Sequence, residues 1–120
     1  MFIKEILSTK GRLNRAKFFW IILAILFATI IIGQVTRYFF FAIGYDEATV
    51  NSYMPIIVLI KIILDSIQVV KRFHDLDRPG SHLLLYLVPI YNIYLAFVLF
   101  LVPGTVGSNQ YGEDPLEITK

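Results

Sequence analysis

Residues 18–38 read FFWIILAILFATIIIGQVTRY, with no charge between Lys17 and Arg37. As a helix, about 20 residues span ~30 Å, the thickness of a bilayer's hydrocarbon core. The ends carry aromatic residues suited to the two interfaces: Phe18, Phe19 and Trp20 at one, Tyr38 to Phe41 at the other. Arg37 can extend its charged head outward from the second end. The run outlasts the apolar stretch of a secretory signal and no small-residue cleavage site follows it, so it reads as a retained first span.

Two further apolar stretches follow. Tyr53–Val70 opens with Pro55 in an expected first-turn position and contains Lys61, Asp65 and Gln68. A charge at mid-helix costs about 2.5–3.5 kcal/mol on insertion scales, so these groups need partners. Leu83–Val102 is uncharged, with Pro89 and Asn92 near its middle. One kinked crossing is the expectation, because its length fits; a re-entrant hairpin with short arms is the alternative. The fold class is therefore an all-α integral membrane protein with about three transmembrane helices, the third kinked or re-entrant at Pro89. The chain forms one multi-pass domain: a basic segment 1–17, spans 18–38, 53–70 and 83–102, a basic loop 71–82, and a turn-rich tail 103–120.

Composition agrees. Of 120 residues 57% are hydrophobic and 17% charged, and mean hydropathy is +0.68. A water-soluble domain carries roughly a quarter charged residues. The net charge of +2 gives no basic field for nucleic acid, and the absence of cysteine excludes disulfides and thiolate metal sites.

Charge placement orients the spans. Lys4, Lys10, Arg12, Arg15 and Lys17 precede the first, and Lys71, Arg72 and Arg78 follow the second. Between those spans lie Arg37, Asp46 and Glu47, and the tail contributes Lys120. Lys and Arg concentrate on the cytoplasmic side, so the amino terminus and the 71–82 loop are expected there. A single third crossing would put the tail outside; a hairpin would return it.

Lys61, Asp65, Gln68, Arg72 and Asp75 recur at helical spacing and fall within roughly 80° of one face. The plainest reading is a helix–helix contact, in which Lys61 and Asp65 partly satisfy each other. It implies membrane lipids plus a second copy or another membrane protein as partners, and a non-enzymatic interaction or assembly role. The alternative is an oligomeric ion or proton channel or transporter lined by the stripe.

Lys71–Gly80 sets basic and acidic groups beside His74, and Pro79-Gly80 is expected to end the preceding helix. The plain reading is an interfacial turn whose basic groups meet lipid phosphates. His74, Asp75 and Asp77, even with His82, make a poor donor set for a metal. A hydrolase of lipid headgroups would need a partner for Ser81 and His82, and none is visible. The Gly-, Asn- and Pro-rich tail reads as a chain of turns, and no phosphate-binding Gly-Lys-Ser/Thr follows its glycines. No cofactor, metal or catalytic residue is assigned.

Gly11-Arg12-Leu13-Asn14-Arg15 ahead of the first span, Arg72-Phe73-His74-Asp75 followed by Arg78, and the Pro103–Pro115 tail together resemble one family. It is domain-of-unknown-function family 805, the YhaH-like small multi-pass proteins of the bacterial inner membrane. The tail is the most specific part of the resemblance, through Gly104, Thr105, Gly107, Asn109, Tyr111, Gly112 and Asp114. Where the family places Ser-Gly and a pair of Trp, this chain has Pro79-Gly80-Ser81-His82. The resemblance implies an inner-membrane location and no established biochemistry. It also implies one cytoplasmic polar cluster of Arg12, Arg15, Arg72, His74, Asp75 and Arg78, which requires the tail to return to that side.

Overall fold

A computed structural model describes residues 2–116; Lys120 and its three predecessors lie outside them. The described chain runs α1 (Phe2–Leu7), α2 (Arg15–Ala42), α3 (Glu47–Asp75), a 3-10 segment (Gly80–Leu87) and α4 (Tyr91–Leu101).

Each long helix starts at a side-chain cap. Asn14 Oδ1 accepts the Lys17 amide at 2.9 Å ahead of α2, and Asp46 Oδ1 accepts the Thr49 amide at 2.7 Å ahead of α3. At 28 and 29 residues both helices exceed ~40 Å, longer than a hydrocarbon core. Because Asp46 sets the start of α3, Pro55 is not in the first turn but inside the helix. There its ring removes one hydrogen bond, to the Asn51 carbonyl.

Helices α2 and α3 form an antiparallel hairpin turned by Ile43–Asp46, with Gly44 at φ +94°. They approach closely at buried Gly33, where a Cβ would lie 3.2 Å from Met54 Cε. Their outward faces leave Trp20, Ile31, Val35, Leu59 and Ile63 at least half exposed. The main cluster of buried apolar residues is small and sits toward one end: Leu13, Phe18, Val69, Phe73, Leu95 and Leu99. Both long helices are apolar enough to cross a membrane. An exterior of this kind suits hydrocarbon rather than water.

The third stretch is not one continuous helix. It breaks at Val88–Ile90, between the 3-10 segment and α4. Pro89 bars a continuous helix, and Ile90 reverses the chain at φ +67°, a region that β-branched residues enter only under strain. Both ends then return to the same turn of α3. The His82 ring lies 5.7 Å from Phe73, and the Leu99 carbonyl takes a hydrogen bond from the adjacent Arg72. The stretch expected as a single kinked helix is thus a hairpin of two short arms, and the tail comes back beside Arg12. The basic loop is also shorter than expected. Lys71–Asp75 are the last turns of α3, which ends before Pro79-Gly80 because Leu76 caps it and Asp77 turns left-handed at φ +56°.

Candidate functional site

At the end of the molecule that gathers both returning segments, α3 presents a row of donors to two helix carboxyl ends. The last carbonyls of a helix have no intrahelical partner and carry partial negative charge, so cationic and amide side chains suit them. For α1, Gln68 Nε2 donates to the Ile6 carbonyl at 2.7 Å and Lys71 Nζ to the Glu5 carbonyl at 2.6 Å. For α4, Arg72 Nε donates to the Leu99 carbonyl at 2.7 Å and its Nη2 to Val102, while Arg15 reaches Leu101 at 3.0 Å.

Arg72 is fully buried, and a buried guanidinium requires both a counter-charge and a full set of acceptors. Asp75, one turn on, supplies the charge: its Oδ2 accepts Arg72 Nη1 at 2.5 Å. Its Oδ1 accepts Arg12 Nε at 3.0 Å, so one carboxylate bridges two guanidiniums. Arg12, its side chain 1% exposed, spends its other donors on the tail. Nη2 reaches the Thr105 carbonyl at 2.5 Å and Nη1 the Gly107 carbonyl at 2.6 Å. The tail is therefore wrapped around an arginine from the opposite end of the chain.

Further bonds fix the tail's course. Thr105 donates its amide and hydroxyl to the Asp75 carbonyl, at 2.8 and 3.0 Å. Asn109 Nδ2 donates to the His74 carbonyl at 2.9 Å, and the Tyr111 ring stacks on His74 at 4.0 Å and 3°. His74 Nδ1 faces the Gly11 carbonyl at 3.2 Å, so that nitrogen carries the proton. Asp114 accepts the Leu116 and Gly107 amides, and these backbone bonds hold its carboxyl below the ordinary 3.8.

The residues singled out from the sequence thus divide. Arg12, Arg72, His74 and Asp75 meet, together with Gly104, Thr105, Gly107, Asn109, Tyr111, Gly112 and Asp114 of the tail, and Arg15 closes the edge. Arg78 does not join: among the described residues its guanidinium makes no hydrogen bond or ion pair. The stripe on α3 also divides. Gln68, Arg72 and Asp75 are occupied by the chain's own segments, whereas Lys61 and Asp65 pair with each other, apart from them. Asp65 Oδ1 remains buried with no hydrogen-bond partner. Beside it an apolar groove of about 520 Å³ opens between α2, α3 and the 3-10 segment, lined by Phe18, Ile22, Ile62, Leu83, Leu87 and Phe100.

Sequence reasoning missed Lys71 and Gln68 as caps of α1. Their targets are backbone carbonyls, which carry no side-chain signature. The donors of a would-be metal site point to separate partners: His74 to Gly11 and Tyr111, Asp75 to two arginines, Asp77 to Gln110 at 3.3 Å. Ser81 is exposed while His82 lies edge-on to Phe73. The arrangement fastens segments together, its donors and acceptors facing one another.

Residues 6–113 match the family described as protein of unknown function, DUF805. The chain is 30% identical over 114 residues to inner membrane protein YhaI of Escherichia coli strain K12, covering 94% of this chain and 90% of that protein. It is 27% identical over 115 residues to inner membrane protein YhaH of the same organism, covering 94% and 91%. No solved structure matches it significantly.

Proposed function

We propose a non-enzymatic role for this chain, which belongs to the DUF805 family of proteins of unknown function: it is an inner-membrane protein that associates with another membrane helix through Lys61 and Asp65. The observation that carries this reading is the orphaned Asp65 Oδ1, deep in a long apolar helix and beside an apolar groove. An unsatisfied acceptor in a low-dielectric setting costs free energy that a donor from a neighbouring helix recovers. A second copy of this chain or another membrane protein can supply that helix. Replacing Lys61 and Asp65 together by Leu removes two charges, so insertion is expected to persist or improve while co-purification of the partner in native detergent is lost. Undiminished association of the double variant would exclude this role.

The alternative, a channel or transporter built from an oligomer, asks for polar groups on successive turns to face water. In one chain Gln68, Arg72 and Asp75 already face the carbonyls of α1 and α4 and the Arg12 guanidinium, which favours association over conduction.

The same proposal assigns the orientation. Lys4, Lys10, Arg12, Arg15, Lys17, Lys71, Arg72 and Arg78 belong to one end of the α2–α3 hairpin, against Arg37 near the other. That bias puts the first end in the cytoplasm, and the re-entrant hairpin takes the tail there too. A reporter fused after Lys120 is expected to read cytoplasmic and one inserted at Gly44 to read external. A carboxyl-terminal reporter active only outside would refute the assignment.

A further inference from the structure

Arg78 differs from the other four arginines of the chain. Arg12, Arg15, Arg37 and Arg72 each bond to a carboxylate or a carbonyl. The Arg78 guanidinium has no such partner among the described residues, although its backbone is tightly held: its amide donates to the Phe73 carbonyl at 2.9 Å, in the turn that caps α3. Its neighbour Asp77 is turned toward Gln110 and forms no ion pair with it.

Arg78 lines a pocket of about 370 Å³, together with Pro103, Gly104 and Thr105 of the tail. The rest of its lining is one stripe of α4, Tyr94 and Val98, continued by Val102, at four-residue spacing, and Leu76. Tyr94 lies roughly 12 Å along the helix from Val102, toward the tip of the re-entrant hairpin. The pocket is therefore cationic at the polar end of the molecule and apolar along the helix that leads away from it.

We propose that this pocket holds an anionic phospholipid, its phosphate on Arg78 and the first part of its acyl chain along Tyr94 and Val98. The charge selects the headgroup and the apolar wall selects a lipid over a free anion. A guanidinium suits a phosphate because its planar fork pairs with two oxygens at once. A basic pocket between membrane helices is a recurrent setting for anionic headgroups. The site is distinct from the Lys61–Asp65 pair and stands without it.

The test uses the full chain, reconstituted in phosphatidylglycerol–phosphatidylcholine mixtures and re-extracted, with retained lipid quantified by mass spectrometry. The wild type is expected to retain phosphatidylglycerol preferentially. Arg78→Gln should lower that preference roughly fivefold, the worth of one basic residue near an anionic surface, and Arg78→Lys should keep most of it. Phosphatidylglycerol should also raise the wild-type unfolding temperature more than phosphatidylcholine does, and this reading needs no variant. Excess inorganic phosphate should leave the retained lipid in place. An unchanged preference in Arg78→Gln, or displacement of the lipid by inorganic phosphate, would overturn the proposal.

Discussion

Replacing Arg72 by methionine is expected to unfasten α4 and the tail from the α2–α3 hairpin. The side chain is fully buried, and its guanidinium bonds the Leu99 and Val102 carbonyls and the Asp75 carboxylate. Methionine fills much of the volume but satisfies none of these acceptors. Breaking a buried charged network by removing one member costs about 3–5 kcal/mol, a large part of a small protein's stability. Part of the loss falls on Asp75, which keeps Arg12 but loses the shorter of its two ion pairs. Limited proteolysis in detergent reads the outcome: the segment after Leu101 should become cleavable while the α2–α3 fragment stays intact. Arg72→Lys should rescue only in part, since an ammonium keeps the charge without the planar fork that reaches both carbonyls and the carboxylate. Tail resistance in the methionine variant equal to that of the wild type would show that the guanidinium is not what holds the segment.

The second large effect is expected at Gly104. A Cβ there would enter the Asp75 carboxylate, with Oδ1 at 2.7 Å and Oδ2 nearer still. The backbone at Gly104 is not left-handed, so the requirement is one of space. Alanine must push aside a carboxylate that two arginines hold, which adds lost ion-pair geometry to an overpacking cost of about 1–3 kcal/mol. Gly107 provides the contrast. Nothing lies within 4 Å of its would-be Cβ, but its φ is +78°, and an L-residue there costs about 1–2 kcal/mol through backbone strain alone. Gly104→Ala should therefore lower the unfolding temperature in detergent more than Gly107→Ala does. The reverse order would mean that the tail does not sit against Asp75.

The sequence made the two long helices plain, because their apolar runs match the bilayer, but not where they start, at the caps Asn14 and Asp46. It misled at Pro55, since a proline near the start of an apolar run looks like a first-turn residue, while the actual start was hidden in the polar, weakly hydrophobic stretch Glu47–Ser52. It left the third stretch open for a related reason. Hydropathy measures transfer into lipid and is blind to direction, so twenty apolar residues read alike whether they cross or turn back. The reversal depends on Ile90 at positive φ in a γ-turn closed by the Tyr91 amide on the Pro89 carbonyl, which propensity argues against. The periodicity of Lys61, Asp65, Gln68, Arg72 and Asp75 placed them on one helix face but could not say what faces them. For Gln68 and Arg72 the answer is backbone carbonyls at the ends of α1 and α4, and every residue owns one of those.

The return of both flanking segments to one end of the hairpin bears on how the chain is made. Of the stretches that link helices, only Ile43–Asp46 sits at the far end. On the proposed orientation, an insertion machinery has to translocate little besides that short turn and its flanking residues. The order of synthesis adds a timing constraint. Arg72 and Asp75 leave the ribosome before α4 and the tail do, so the carboxyl end of α3 has to wait for Leu99, Val102 and Thr105 to emerge before its partners are complete.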